Sequence, residues 1–224
     1  MEQQTIIITG ATGTLGSASV QHFGDHGFNV VGLSRRKSLI APTSNIHLIE
    51  NCDLTNFENA QSAIAQTIEK YSKPTVLINI AGGFIWKEIV DTSYDDIDTM
   101  MDLNFKTMYN MTKATLEALS ETSCCRIINI GATGAITAAP GMAAYAISKS
   151  AVMRYTEALA AETSDNITVN ALMPSIIDTP QNRKDMPNQD FSKWLAVDKI
   201  IAKMAYLISL EAQNTNGKFI SFNG

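Results

Sequence analysis

The sequence predicts an α/β protein built on a doubly wound, parallel, seven-stranded sheet with helices on both faces. Short runs rich in Ile and Val, without polar alternation, read as strands covered on both sides. Longer segments of helical period lie between them, and no linker, repeat or low-complexity stretch interrupts the alternation. The first apolar run also ends in glycines spaced by three and opens directly into a helix.

The elements follow in order. Thr5 to Thr9 is the first strand, and Gly10, Gly13 and Gly16 lead into a helix over Leu15 to His26. Strands over Asn29 to Leu33 and His47 to Glu50 precede a helix over Phe57 to Tyr71. A strand over Thr75 to Ile80 then leads to a long helix over Tyr94 to Ser120. The second half alternates a strand over Arg126 to Ile130, a helix over Gly141 to Thr163, a strand over Thr168 to Leu172, a helix over Val197 to Leu210 and a last strand over Lys218 to Phe222.

Composition narrows the function classes. The chain has 224 residues, of which 45% are hydrophobic and 17% charged, which predicts one globular domain over residues 1–224. A formal charge of −5, with no basic run longer than Arg35-Arg36-Lys37, argues against a nucleic-acid partner. The apolar stretches are strand-sized, shorter than the roughly 20 residues of a membrane helix, and Met1-Glu2-Gln3-Gln4 enters the first strand without a leader pattern. A cytoplasmic protein is expected. Cys52, Cys124 and Cys125 lack metal-ligand spacing, so small buried side chains and no metal are expected.

In sheets of this kind, ligands lie beyond the C-terminal strand ends. A strand, a glycine turn and a helix N-terminus together aim backbone N–H groups and the helix dipole at a pyrophosphate, the Rossmann-type arrangement. Gly10 would form the turn, Gly13 admit the phosphates and Gly16 let helix and strand approach, although a plain strand-to-helix turn has the same composition. The second strand ends at Ser34-Arg35-Arg36 without the acid that would hold a ribose 2′-hydroxyl. Two cations suit a 2′-phosphate, which predicts NADP, with NADPH preferred over NADH; an exposed basic turn is the rival reading. Asp53 and Leu54 would flank the adenine, and Asn79, Ala81 and Gly82 would admit the nicotinamide-side ribose, although a plain strand end with turn residues accounts for either group equally well.

Tyr145 and Lys149 stand four residues apart, on one face of a helix. The ammonium is expected to lower the phenol pKa and make a proton donor, although a solvated Lys beside a half-buried Tyr has the same spacing.

Taken together, the Thr9-Gly10 to Gly16 turn, Asp53-Leu54, Asn79-Ile80-Ala81-Gly82, Asn104, Tyr145 with Lys149, and Pro174 to Thr179 resemble the short-chain dehydrogenase/reductase family over essentially the whole chain. The resemblance implies an NAD(P)-dependent oxidoreductase with Tyr145 as general acid or base. Lys149 would bind the nicotinamide ribose and tune the Tyr, and Asn104 would shape a water-linked proton path. Thr12 and Leu15 would join the glycines at the dinucleotide, and Pro174, Ile177 and Thr179 would meet the nicotinamide carboxamide. Two departures stand out. Thr14 occupies the usual place of the middle glycine, and Ala132 stands where the family's carbonyl-binding Ser is expected, with Thr133 beside it.

Around the site, Pro140-Gly141-Met142 and the segment Asp178 to Trp194 resemble the quinonoid dihydropteridine reductase branch, which also lacks that Ser. This resemblance implies a quinonoid or similarly conjugated substrate, with Phe191 or Trp194 as a stacking surface unless they pack a short helix. A reductase of ketones or 3-ketoacyl thioesters is the alternative, and a non-catalytic NADP-binding regulatory protein a third. The family also implies a homodimer or homotetramer, to which the Met- and Ala-rich helices bearing Met108, Met111, Ala114, Ala118, Met153 and Ala158 are assigned.

Overall fold

The computed structural model describes residues 3–120 and 123–222. Seven strands form one parallel sheet: β1 (Thr5–Thr9), β2 (Asn29–Leu33), β3 (Ile46–Ile49), β4 (Val76–Asn79), β5 (Cys125–Ile130), β6 (Ile167–Pro174) and β7 (Phe219–Phe222). Their order is β3-β2-β1-β4-β5-β6-β7, so the direction of winding reverses between β1 and β4. Among the described residues, seven α-helices cover the sheet: α1 (Thr14–Asp25), α2 (Phe57–Lys70), α3 (Tyr94–Met101), α4 (Thr107–Ala118), α5 (Ala143–Glu162), α6 (Pro180–Asp185) and α7 (Val197–Ile208). No helix among the described residues is long and apolar enough to cross a membrane.

Strand alternation divides the core into two layers. Ile6, Ile8, Val30, Ile78 and Ile128 face one layer, with Val20 and Phe23 of α1 and Ile200, Met204 and Leu207 of α7. Ile7, Val31, Leu77, Ile127 and Val169 face the other, with Ala60 and Ile64 of α2, Met111 and Ala114 of α4, and Leu159 of α5. Met108, Met111 and Ala114 are at most 3% exposed, so they pack within this chain and are not interface residues. Met153 and Ala118 are half-buried, and Ala158 is exposed. Cys52 and Cys125 are buried as expected, but Cys124 is exposed.

The expected long helix over Tyr94 to Ser120 is interrupted by a π-helical turn, Asp102–Lys106, between α3 and α4. Such turns gather at functional sites, and this one carries Asn104 inward to 1% exposure. The segment after β6 is tied down at both ends. Thr179 caps α6 by accepting from Asn182 N at 3.1 Å, and a parallel bridge between Ile177 and Leu195 pins the two ends together.

Candidate active site

The glycine turn is shaped by contact. Gly10 has φ +71°, and a Cβ there would lie 2.9 Å from backbone atoms of Ala81. At Gly16 a Cβ would lie 2.1 Å from the Gly10 carbonyl oxygen, so only glycine lets α1 pack onto the turn. Gly13 is less confined, since a built Cβ would meet the Gly10 oxygen at an ordinary contact distance of 3.4 Å. As the N-cap of α1 it offers no side-chain cap to the first-turn N–H groups. Thr12 is half-buried beside it and Leu15 is buried. Thr9 Oγ1 accepts from the N–H groups of Ile80 and Ala81, each at 3.0 Å, and ties the ends of β1 and β4 across the point where winding reverses.

A buried polar seam supports the next two strands. Asn79 and Asn129 are paired in register, and Asn79 Nδ2 donates to Asn129 Oδ1 at 2.9 Å and to Thr112 Oγ1 of α4 at 3.2 Å. Asn129 Nδ2 donates to Thr156 Oγ1 of α5 at 2.9 Å. The side chain of Asn79 thus braces strands against helices, while Ala81, half-buried, and Gly82, exposed, follow it beyond the strand end. Buried amides joined in this way fix the seating of α5.

Asn104 closes the other side. Its Oδ1 accepts from Gly83 N at 2.9 Å, and its Nδ2 donates to Gly83 O at 3.1 Å and to Ser148 Oγ at 3.0 Å. Ser148 in turn donates to the Tyr145 carbonyl at 2.8 Å. The structure therefore brings Asn104 and Tyr145 together, with Ser148, which the sequence reading did not single out, between them.

Lys149 is 5% exposed and its Nζ donates to the Ile130 carbonyl at 2.7 Å. A Cβ built on Gly82 would lie 2.4 Å from Asn104 Oδ1 and 3.6 Å from Nζ, so this glycine lets both side chains approach the end of β4. Burial pulls the ammonium down to about 8 and pushes the Tyr145 phenol up to about 12. The expected lowering of the phenol by the ammonium is absent here. Nζ lies 6.0 Å from the Tyr145 ring centroid and is turned to Ile130, so desolvation outweighs attraction.

Ala132 is 7% exposed and adopts an extended backbone, so a methyl group occupies the position expected for a hydroxyl. Thr133 is half-buried and starts a short 3₁₀ turn, Thr133–Ala135.

At the far end of the cleft, Ser34 Oγ donates to Arg36 O at 2.6 Å, a bond that shapes the turn and leaves the Arg35 and Arg36 side chains exposed. Asp53 is held below the usual carboxylate range by hydrogen bonds from Thr55, with a smaller contribution from the Arg35 charge. Leu54 is buried.

Pro174 ends β6 in a buried position, and Ile177 and Thr179 are half-buried in the segment that follows. Trp194 is 7% exposed, its ring centroid 4.7 Å from that of Phe191, with the Arg183 guanidinium 4.9 Å from the Phe191 ring. Trp194 is a packing residue, which corrects its expected stacking role. The aromatic side chain against Tyr145 is instead Phe84, with centroids 4.9 Å apart, and Trp86 lies over Gly141 in the turn before α5. Both follow Gly82-Gly83 at the end of β4, a position that marks a strand-end site in the sequence itself.

The arrangement fits a dinucleotide. The α1 N-terminus lacks a side-chain cap, Gly13 puts no side chain before it, and among the described residues the buried Lys149 ammonium meets one acceptor for its three N–H donors. Residues 4–190 match the short chain dehydrogenase family model. The chain is 31% identical over 185 residues to an oxidoreductase, UcpA, of Salmonella typhimurium, covering 79% of this chain and 70% of that protein. It is 27% identical over 242 residues to the acetoacetyl-CoA reductase of an Acinetobacter species, covering 100% and 97%. The solved structure of 4-hydroxyisoleucine dehydrogenase complexed with NADH superposes with a TM-score of 0.86 at 26% identity, covering 98% of this chain and 96% of that one. With its reversed winding point, glycine turn and converging Asn104, Tyr145 and Lys149, the chain belongs to the short chain dehydrogenase family of NAD(P)-binding oxidoreductases.

Proposed function

We propose that the protein is an NADPH-preferring reductase of quinonoid or similarly conjugated rings, comparable in chemistry to dihydropteridine reductase and acting in the cytoplasm. The observation that carries this reading is Ala132, a buried methyl where a carbonyl substrate would need a hydrogen-bond donor. Reduction of a conjugated ring delivers charge into a delocalised system and needs a proton at a ring heteroatom, so one acid suffices.

NADPH would lie along the strand ends and supply the hydride when bound. The Gly10, Thr12, Gly13, Leu15 and Gly16 turn would hold the pyrophosphate, and Ser34, Arg35 and Arg36 the 2′-phosphate. Asp53 and Leu54 would border the adenine, Ala81, Gly82 and Lys149 the nicotinamide ribose, and Pro174, Ile177 and Thr179 the carboxamide. Asn79 would contribute through the strand it braces. Tyr145 keeps its phenol proton throughout the neutral range, since burial holds the group at about 12, and donates it to the reduced ring. Asn104 and Ser148 hold the backbone of Tyr145 in place, and Lys149 lies one turn below it.

Steady-state assays with NADPH against quinonoid dihydropterin and a ketone panel test the proposal. Tyr145→Phe should lower kcat for dihydropterin by about 10², and Ala132→Ser should leave that rate within a few-fold while raising turnover of simple ketones. A second reading, reduction of a ketone or 3-ketoacyl thioester, is favoured by the full-length likeness to the acetoacetyl-CoA reductase. It requires Thr133 or water to replace the absent Ser, and it would prevail if wild-type turnover were confined to ketones and Ala132→Ser accelerated them.

A further inference from the structure

Two large aromatic side chains leave the end of β4 with most of their surface open, Phe84 at 56% and Trp86 at 59% exposure. Single exposed aromatics are ordinary on protein surfaces. These two are held from behind. Phe84 meets the Tyr145 ring edge to face, with centroids 4.9 Å apart and planes at 76°. Trp86 lies against Gly141, where a Cβ would fall 2.3 Å from the indole. Gly141 also has φ +77°, so both its conformation and its bare surface suit the indole above it.

The segment carrying the rings is clamped. Lys87 N donates to Gly141 O at 2.9 Å, joining it to the turn before α5. Lys87 Nζ pairs with Asp96 Oδ2 at 2.7 Å, and Asp96 is half of the capping box that starts α3. The neighbouring strand ends add apolar side chains, with Ile136 after β5 at 57% exposure and Ile176 after β6 at 43%. The surface beside the Tyr145 ring therefore includes the Phe84 ring, and the Trp86 indole stands on Gly141, in the turn that leads into the Tyr145 helix.

We infer that Phe84 and Trp86 are the specificity-determining residues of this site, taking an uncharged planar ring against their faces and favouring flat conjugated substrates over aliphatic ketones. The inference rests on the proposed reduction of a conjugated ring and names the residues that would select it. A ring stacked on an aromatic face gains about 0.5–1.5 kcal/mol beyond the area it buries, an advantage an aliphatic chain does not share.

Two probes test this with NADPH, 1,4-naphthoquinone as the flat substrate and ethyl acetoacetate as the aliphatic one. Phe84→Leu and Trp86→Leu keep apolar bulk but remove the ring face. Each should lower the quinone-to-acetoacetate ratio of kcat/KM by about five- to tenfold, mainly through KM for the quinone, and Trp86→Phe should recover most of the loss. An unchanged ratio in both Leu variants, or a Trp86→Phe variant no better than Trp86→Leu, would overturn the inference.

A binding readout separates this from the activity itself. With NADP+ present, 2-naphthol should quench the indole fluorescence of the wild type and not that of Trp86→Leu, whose remaining Trp194 is buried. Absent quenching, or quenching that persists in Trp86→Leu, counts against the surface. Quenching at Trp86 without quinone turnover keeps the surface and refutes the proposed activity. Quinone turnover with an unaltered ratio in both Leu variants does the reverse.

Discussion

Replacing Lys149 by Met tests the balance of forces at the centre of the site. The side chain is 5% exposed, and burial lowers its pKa from 10.5 to about 8. Below pH 8 both folded and unfolded chains carry the charge, and the folded one holds it at a desolvation cost. At about 1.4 kcal/mol for each tenfold of proton affinity, the cost at pH 7 is about 3 kcal/mol. It diminishes as pH rises from 8 to 10.5, where the unfolded chain still binds the proton that the folded chain has released. Above 10.5 it is gone.

Met fills a similar volume but leaves the Ile130 carbonyl without its donor, a loss of about 1 kcal/mol. Lys149→Met should therefore be more stable than the wild type by about 2 kcal/mol at pH 7 and less stable by about 1 kcal/mol above pH 10.5. Urea unfolding at both pH values, without dinucleotide so that binding does not shift the equilibrium, measures the difference. Tyr145 also titrates at high pH, but it is present in both proteins and cancels. A stability difference that is the same at pH 7 and above 10.5 would refute the reasoning.

Gly16→Ala should destabilise the chain by about 1–3 kcal/mol and weaken dinucleotide binding, because the added Cβ meets the Gly10 carbonyl, which is backbone; urea unfolding and a cofactor titration check both. Arg35→Ala should weaken NADPH binding by about tenfold, or 1.4 kcal/mol, with little effect on NADH; equal losses in fluorescence titrations would remove the basis for the NADPH preference. Phe105, Tyr109 and Tyr155 form an aromatic cluster on α4, α5 and the π turn, with centroids 5.6–6.1 Å apart. A homodimer or homotetramer formed through this face should become monomeric in Tyr109→Asp, which light scattering at micromolar concentration would show.

The strands were legible because a parallel sheet covered on both sides demands unbroken Ile and Val runs, and Ile6-Ile7-Ile8 feeds both core layers. Tyr145 and Lys149 were legible because a four-residue step fixes their face of α5. The insertion that carries Asn104 inward was not, since a single π turn barely disturbs helical periodicity. Met108 and Met111 misled for a related reason: an apolar stripe has the same period whether it faces the chain's own sheet or another subunit. The fall of Lys149 and the rise of Tyr145 come from how deeply the two groups are buried, which is not encoded in their spacing. Trp194 and Trp86 show the same limit. Both lie near strand-end segments, and only packing decides that one is enclosed and the other presented.

The bridge between Ile177 and Leu195 gives the intervening chain a property of its own. Asp178 N donates to Leu195 O, and Leu195 N donates to Ile176 O, each at 2.8 Å, so the segment leaves and rejoins the body at one narrow neck. Inside the loop, Arg183 grips Asp178 through two contacts of 2.6 and 2.7 Å and lies over Phe191. A unit with a closed neck and its own internal bonds can be exchanged as a cassette. Grafting the corresponding stretch of a relative between Ile177 and Leu195 should alter which molecules are admitted while the sheet, the glycine turn and the Tyr145 helix retain their geometry, making this neck a natural joint for redesigning substrate range.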